Sequence, residues 1–362
     1  MRFCFFVLGL LSFSIANAQY LEYDSIKRKS KRYLFIPVVI RSIETGWGFG
    51  AGGSYFFRTS HQHDSVLRTS NVEALALYTE RDQLVTALQF NVYFPGEKYI
   101  LRWKNSYTRY YDSFWGFGNE TPASAAERYD FTQFFINPQL MRRIHRDFYL
   151  GVAYELQHVY SLDYKPGGIF DQQNVLGRNG GTVSGAGFIA AWDSRDDAFY
   201  CTRGSFFQLM VLKFNSLLGS QYDYTNYVID WRKFISFSKK DVAGFQGYGY
   251  LNSGDVPIRN MAILGGSDIM RGYFEGRFTD KNLAAFQIEY RRHLWKRVGV
   301  VAFLGYGEVF RNLVGFSFSG LKYSYGGGVR IALNQKERLN LRIDYGWGEN
   351  SSGLYFTVRE SF

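Results

Sequence analysis

From Tyr33 onward, apolar and polar residues alternate with a period of two, the mark of a sheet with two different faces. In Leu339–Trp347, the residues Leu339, Leu341, Ile343, Tyr345 and Trp347 share one face, and Asn340, Arg342, Asp344 and Gly346 share the other. Lys322–Asn334 sets Tyr323, Tyr325, Val329 and Ile331 against Ser324, Gly328 and Arg330. Asn282–Leu294 sets Ala284, Phe286, Ile288 and Tyr290 against Gln287, Glu289, Arg291 and His293. The same template predicts sixteen strands, eight of them near 33–43, 45–57, 71–80, 84–94, 98–111, 129–144, 148–160 and 181–192. The other eight lie near 204–215, 221–236, 242–252, 282–294, 298–310, 322–334, 337–347 and 353–362.

The connections alternate in length. Short polar turns such as Pro95–Glu97, His145–Asp147 and Ser238–Asp241 fall on one side, and the long loops 112–128, 161–180, 253–281 and 311–321 on the other. Strands of this kind fit an all-β, 16-stranded antiparallel transmembrane β-barrel with short periplasmic turns and longer outer loops. A soluble sandwich or barrel would turn the apolar face inward, and periodicity alone does not separate the two. Strand number does, because a closed barrel of sixteen strands leaves an interior too wide for apolar side chains to fill. Aromatics near strand ends (Trp47, Tyr93, Phe94, Trp295, Tyr323, Trp347) are placed as an interfacial girdle.

The N-terminus reads as an address. Arg2, a largely apolar run from Phe3 to Ile15, and Ala16-Asn17-Ala18 make a signal peptide cleaved near Ala18. Residues 19–32 would form a short periplasmic segment: a plug, a tail or a disordered stretch. The barrel would occupy 33–362. Cys4 leaves with the signal, so Cys201 remains without an internal disulfide partner. The 34 Phe, 28 Tyr and 38 Gly argue against disorder, and no apolar run is long enough for a membrane-spanning helix. A formal charge of +10 suits anionic lipid head groups or a mildly anion-favouring lumen. No motif points to nucleic acid.

Two motifs are more specific than composition. Trp192-Asp193-Ser194-Arg195-Asp196-Asp197, continuing to Cys201-Thr202-Arg203-Gly204, resembles the aspartate–arginine–aspartate turn of the Omp85 superfamily, the bacterial surface antigen barrels. Cys201 stands where that family usually has proline. Leu264-Gly265-Gly266-Ser267-Asp268-Ile269-Met270-Arg271-Gly272-Tyr273 resembles the family's arginine–glycine–aromatic motif, and the strand count independently makes 253–281 the sixth outer loop. The chain also ends in Phe362, like the assembly signals of such barrels.

The resemblance implies a sixth loop folded into the lumen, with Arg271 meeting acidic residues on the wall. Glu289 matches one acidic position and has lumen parity. The family's other aspartate aligns with Gly305, and nearby Glu308 has the wrong parity unless a bulge intervenes. An Arg271–Glu289 pair is therefore expected, supported differently from the usual triad. Family members that insert or translocate proteins carry periplasmic POTRA modules, and the short 19–32 segment is expected to hold none.

The resemblance further implies a Gram-negative outer membrane and surrounding lipids, lipopolysaccharide included. It also implies the barrel-assembly machinery as partner during insertion, with outer-membrane proteins or lipids as clients. The family's openable seam lies between first and last strands, and Pro37 in the first strand removes one ladder donor.

No catalytic site is predicted. His61-x-His63 lacks the carboxylate or Cys that would complete a metal site, and no Gly-x-Ser-x-Gly elbow occurs. Gly48-x-Gly50-x-x-Gly53 lies inside a strand with no helix after it, so it is no dinucleotide site. Asp193, Asp196 and Asp197 offer a competing divalent-cation reading, against a charged turn in which Arg195 pairs with an acid. No cofactor or metal is expected. The readings carried forward are a role in outer-membrane biogenesis, a passive channel or structural barrel, and an outer-membrane hydrolase.

Overall fold

The computed structural model describes residues 33–57, 59, 70–197, 200–334, 339–358 and 360–362. The expected signal peptide, the 19–32 segment and His61-x-His63 lie outside them. The first eleven strands run β1 Tyr33–Ser42, β2 Gly46–Phe57, β3 Ser70–Thr79, β4 Leu84–Tyr93, β5 Tyr99–Phe114, β6 Glu127–His145, β7 Phe148–Tyr164, β8 Gly181–Asp193, β9 Gly204–Phe214, β10 Tyr224–Ser236 and β11 Asp241–Gly254. A hairpin of β12 Ala262–Leu264 and β13 Phe278–Asp280 sits within the sixth outer loop. The wall then resumes with β14 Asn282–Trp295, β15 Val298–Phe310, β16 Lys322–Asn334, β17 Leu339–Gly348 and β18 Ser351–Val358. Excluding that hairpin, the sixteen wall strands pair antiparallel with their neighbours and close between β1 and β18.

The outer face is apolar as the alternation predicts. Phe49, Phe188, Phe286, Leu304 and Tyr325 are exposed there, while Ser324, Arg330, Arg342 and Asp344, one residue out of phase with such neighbours, are buried in the lumen. Phe94, Trp295, Tyr323 and Trp347 are exposed at strand ends as girdle residues should be. Tyr93 is not: it is buried inside the wall.

The lumen departs from the polar interior expected. Leu75, Leu77, Val85, Ile100, Phe131 and Phe135 all point inward and join one buried apolar cluster with Phe170 and Val175 of the fourth outer loop and Ile258, Met261 and Leu264 of the sixth. Wall side chains alone leave so wide a barrel unfilled, and loops entering from outside supply the missing apolar volume. Period two identifies two faces; it carries no information about loops that arrive to cover one of them. Strands β6 and β7 run 19 and 17 residues, well beyond the roughly 9–11 that cross a bilayer. Their outer ends form the wall against which the fourth loop packs.

Candidate functional site: the loop-six anchor in the lumen

Loop six descends into the lumen and presents Arg271, fully buried, to the inner wall. Its Nη2 donates to Glu289 Oε2 on β14 at 2.7 Å, and its Nη1 donates to Asp344 Oδ2 on β17 at 2.5 Å. The guanidinium also lies 3.5 Å from the Phe303 ring centroid on β15, a cation–π contact that is strengthened by desolvation. The planar fork of arginine suits this position because it reaches two carboxylates on different strands at once.

Neither carboxylate belongs to Arg271 alone. Glu289 accepts from Arg291 Nε at 2.7 Å and lies 3.7 Å from Arg330. Asp344 accepts from Arg330 Nη1 and lies 3.6 Å from Arg342. Arg330 Nε donates to Glu360 at 2.6 Å, and Arg342 Nη2 donates to Asp268 of the loop itself at 3.1 Å. Four arginines thus face four acids. Burying one ion pair costs several kcal/mol of desolvation unless its remaining hydrogen-bonding groups are met; here the charges balance, while Arg271 Nε and Arg342 Nη1 are buried without a hydrogen-bond partner among the described residues.

The loop backbone is fastened as firmly as its side chain. Met270 N donates to Gln287 Oε1 (3.1 Å), Gly272 N to Tyr355 Oη (3.0 Å), and Tyr355 Oη to Tyr273 O (3.1 Å). Ser324 Oγ donates to Arg271 O, and Ser351 Oγ to Gly272 O at 2.6 Å. Tyr273 Oη donates to Tyr323 O and accepts from Glu349 N, at 2.8 and 2.7 Å. Gly266 N donates to Tyr273 O (3.1 Å), which folds the motif back on itself next to Gly265. Gly272 has φ +113°, and a Cβ there would lie 2.6 Å from Trp347 C. Across the contact, a Cβ on Gly346 would lie 2.7 Å from Arg271 C. Two backbones meet where neither tolerates a side chain, which is why glycine follows the arginine.

The second motif closes the periplasmic turn between β8 and β9. Arg195 grips Asp193 with two bonds, at 2.8 and 2.9 Å, and stacks 4.5 Å from Phe206. Asp196 accepts from Thr202 N (2.9 Å), Arg203 N (3.2 Å) and Cys201 Sγ (3.2 Å). Burial acts to raise the Asp196 carboxyl, but the hydrogen bonds from Thr202 and Arg203 outweigh it and hold the group below its ordinary value. Burial, with Asp196 beside it, pushes the Cys201 thiol up to about 12. Gly204 has φ +111° and packs on the Ser194 carbonyl; Arg203 extends outward. The turn's own donors use these acids as staples, and among the described residues no cluster of His, Cys, Asp or Glu is arranged to hold a metal ion.

Residues 68–362 match the Omp85 superfamily domain. The chain belongs to the Omp85 superfamily. Comparison with curated proteins gives no match. Among solved structures, BamA from Haemophilus ducreyi lacking POTRA domains 1–3 is similar at 13% identity and TM-score 0.59, over 90% of this chain and 70% of that one. CdiB from Escherichia coli is similar at 10% identity and TM-score 0.64, over 92% and 64%. CdiB from Acinetobacter baumannii gives 13% and 0.58, over 91% and 60%. The chain spans about two thirds of the length of these structures.

In this Omp85 barrel Arg271 and Glu289 lie together as a buried ion pair. The second acid was missed. Asp344, two strands beyond the position aligned with Gly305, takes that place, and its lumen parity on β17 was the available signal. Glu308 takes no part; it is buried and accepts from Ser317 N at 3.1 Å in the seventh outer loop. Glu360 and Arg330 were also missed, because they lie far from the loop motif in sequence. Phe362 is not on the wall. Strand β18 stops at Val358, and the chain turns inward to bury Phe362 against Phe234 and Cys201 while its carbonyl accepts from Arg291 at 3.0 Å.

Proposed function

We propose that this Omp85 barrel acts in outer-membrane biogenesis, inserting or translocating protein or lipid through its seam, or serves as an accessory to a machine that does so. The observation that carries this reading is the imbalance at β1. Strand β1 pairs with β2 at ten registered positions, from Tyr33↔Tyr55 to Ser42↔Gly46, but with β18 at one, Arg41↔Phe356. The next strand pair, β17 with β18, has eight. Below Arg41 the β18 side of β1 has no registered partner among the described residues, and Pro37 lies in that stretch. An unpaired backbone edge is costly in hydrocarbon and is a template for an added strand.

Loop six spans the seam at its outer end. Glu275 N donates to Glu44 Oε1 of the β1–β2 turn at 2.7 Å, while Gly272 and Tyr273 hold Tyr355 of β18. The anchor therefore ties the outer end of the seam, so opening would start at the periplasmic end and spread through the one registered pair, Arg41↔Phe356. A passive channel fits less well, because the loops fill the lumen with a buried apolar cluster. No enzymatic step is needed, and outer-membrane proteins or lipids are the clients of choice. An assembly role for Phe362 belongs to the chain before its tail folds inward. Depleting the protein from its host should lower the level of a subset of outer-membrane proteins or alter lipid composition. An unchanged inventory of both would remove this reading.

A further inference from the structure

We propose that the periplasmic rim carries a site for the anionic head group of an inner-leaflet phospholipid, separate from the seam. A cavity of about 510 Å³ opens among the turns that follow β10 and β14, beside the periplasmic ends of β16 and β17 and Thr202 of the β8–β9 turn. Its described lining includes Lys239, Lys240, Arg292, Lys296, Arg297 and Arg330 and contains no acidic residue. Arg330, at the floor, is committed to Glu360 and Asp344, and Arg292 pairs with Asp241 at 3.2 Å. Lys239, Lys240 and Arg297 make no ion pair with any described residue, so three cations share one concave space. Such a space favours an anion, by mutual repulsion in its absence and by focused attraction in its presence.

The position of the cavity selects a lipid over a soluble anion. Trp295 directly precedes Lys296 and Arg297, and Phe237 stands two residues before Lys239; both are more than half exposed on the outer face. Exposed aromatics of this kind mark head-group level. The lining also includes Val300, whose parity is lipid-facing, together with Arg330, whose parity is lumenal. The cavity therefore crosses the rim. A phosphodiester can enter from the bilayer edge while its acyl chains stay on Val300 and the outer wall.

Native mass spectrometry of the full barrel in a neutral detergent tests this with dioctanoyl-phosphatidylglycerol as probe. Dioctanoyl-phosphatidylcholine, inorganic phosphate and an aspartate-rich peptide are the other arms. Phosphatidylglycerol should bind at least about tenfold more tightly than phosphatidylcholine, and this preference should collapse in high salt. Lys239→Ser/Lys240→Ser/Arg297→Ser should weaken binding on the order of a hundredfold, from three cations near a head group. Lys239→Arg/Lys240→Arg/Arg297→Lys should preserve it. Equal binding of the two lipids, or an unchanged affinity in the serine variant, overturns the site. Binding of phosphate or the peptide with no preference between lipids overturns the lipid assignment. If the serine variant does not fold, the wild-type lipid preference and its salt dependence decide. Because the site does not depend on the client-insertion reading, its loss would leave outer-membrane protein levels as they are.

Discussion

Arg271→Ala is expected to release loop six from the lumen. The substitution leaves four buried or half-buried acids facing three arginines, and it removes the only side chain that joins Glu289 to Asp344 from the loop side. Breaking a buried pair by removing one partner costs about 3–5 kcal/mol. Arg291 and Arg330 still hold Glu289, and Arg330 and Arg342 still flank Asp344, so the lower end of that range applies. Heat-modifiable migration should be lost at a lower temperature, and protease should cut within 253–281 in the folded barrel. Arg271→Lys keeps the charge but cannot span both acids, so it should fall between wild type and alanine. Glu289→Ala and Asp344→Ala should resemble each other, since each leaves arginines unneutralised. If Glu289→Ala left heat resistance and loop protection unchanged, the anchor would be ornamental.

The second large effect is expected at Gly272. An alanine there must adopt φ near +113°, a conformation costing about 1–3 kcal/mol for a side-chain-bearing residue. Its methyl would also press on the Trp347 backbone, which has no flexible end to move aside. Two companions separate these terms. Gly266→Ala shares the positive φ, at +109°, but its methyl meets only the Glu275 side chain at 3.4 Å. Gly346→Ala has no positive φ, but it strikes Arg271 C from the other side of the same contact. Gly272→Ala should expose loop six to protease more than either companion does. If Gly266→Ala proved as damaging as Gly272→Ala, backbone strain alone would explain the motif and the close approach would contribute nothing.

Much of this architecture is legible in the residues. Alternation such as Leu341-Arg342-Ile343-Asp344-Tyr345 places both the lipid face and the acid that completes the anchor, because the side-chain period of a strand is two. The Arg271–Glu289 pair follows from motif and parity together. What stays hidden is non-local. Asp344 reaches Arg271 only because β17 is curled next to the loop tip, 73 residues away in sequence. Leu75 and Phe135 look like misplaced lipid-facing residues until loops four and six arrive to cover them. The inward placement of residues 360–362 is likewise invisible, since a terminal phenylalanine reads the same on a wall strand and in a lumen.

The claim that the β1–β18 seam is the working part can be tested by locking it. Arg41→Cys/Phe356→Cys, in a Cys201→Ser background, places two thiols at the one registered pair across the seam. Facing antiparallel positions have the Cα separation that a disulfide requires. With this variant as sole copy, the account predicts that oxidation reproduces the depletion phenotype in the outer-membrane protein and lipid inventory and that reductant reverses it. A locked barrel that supports a normal inventory would contradict it.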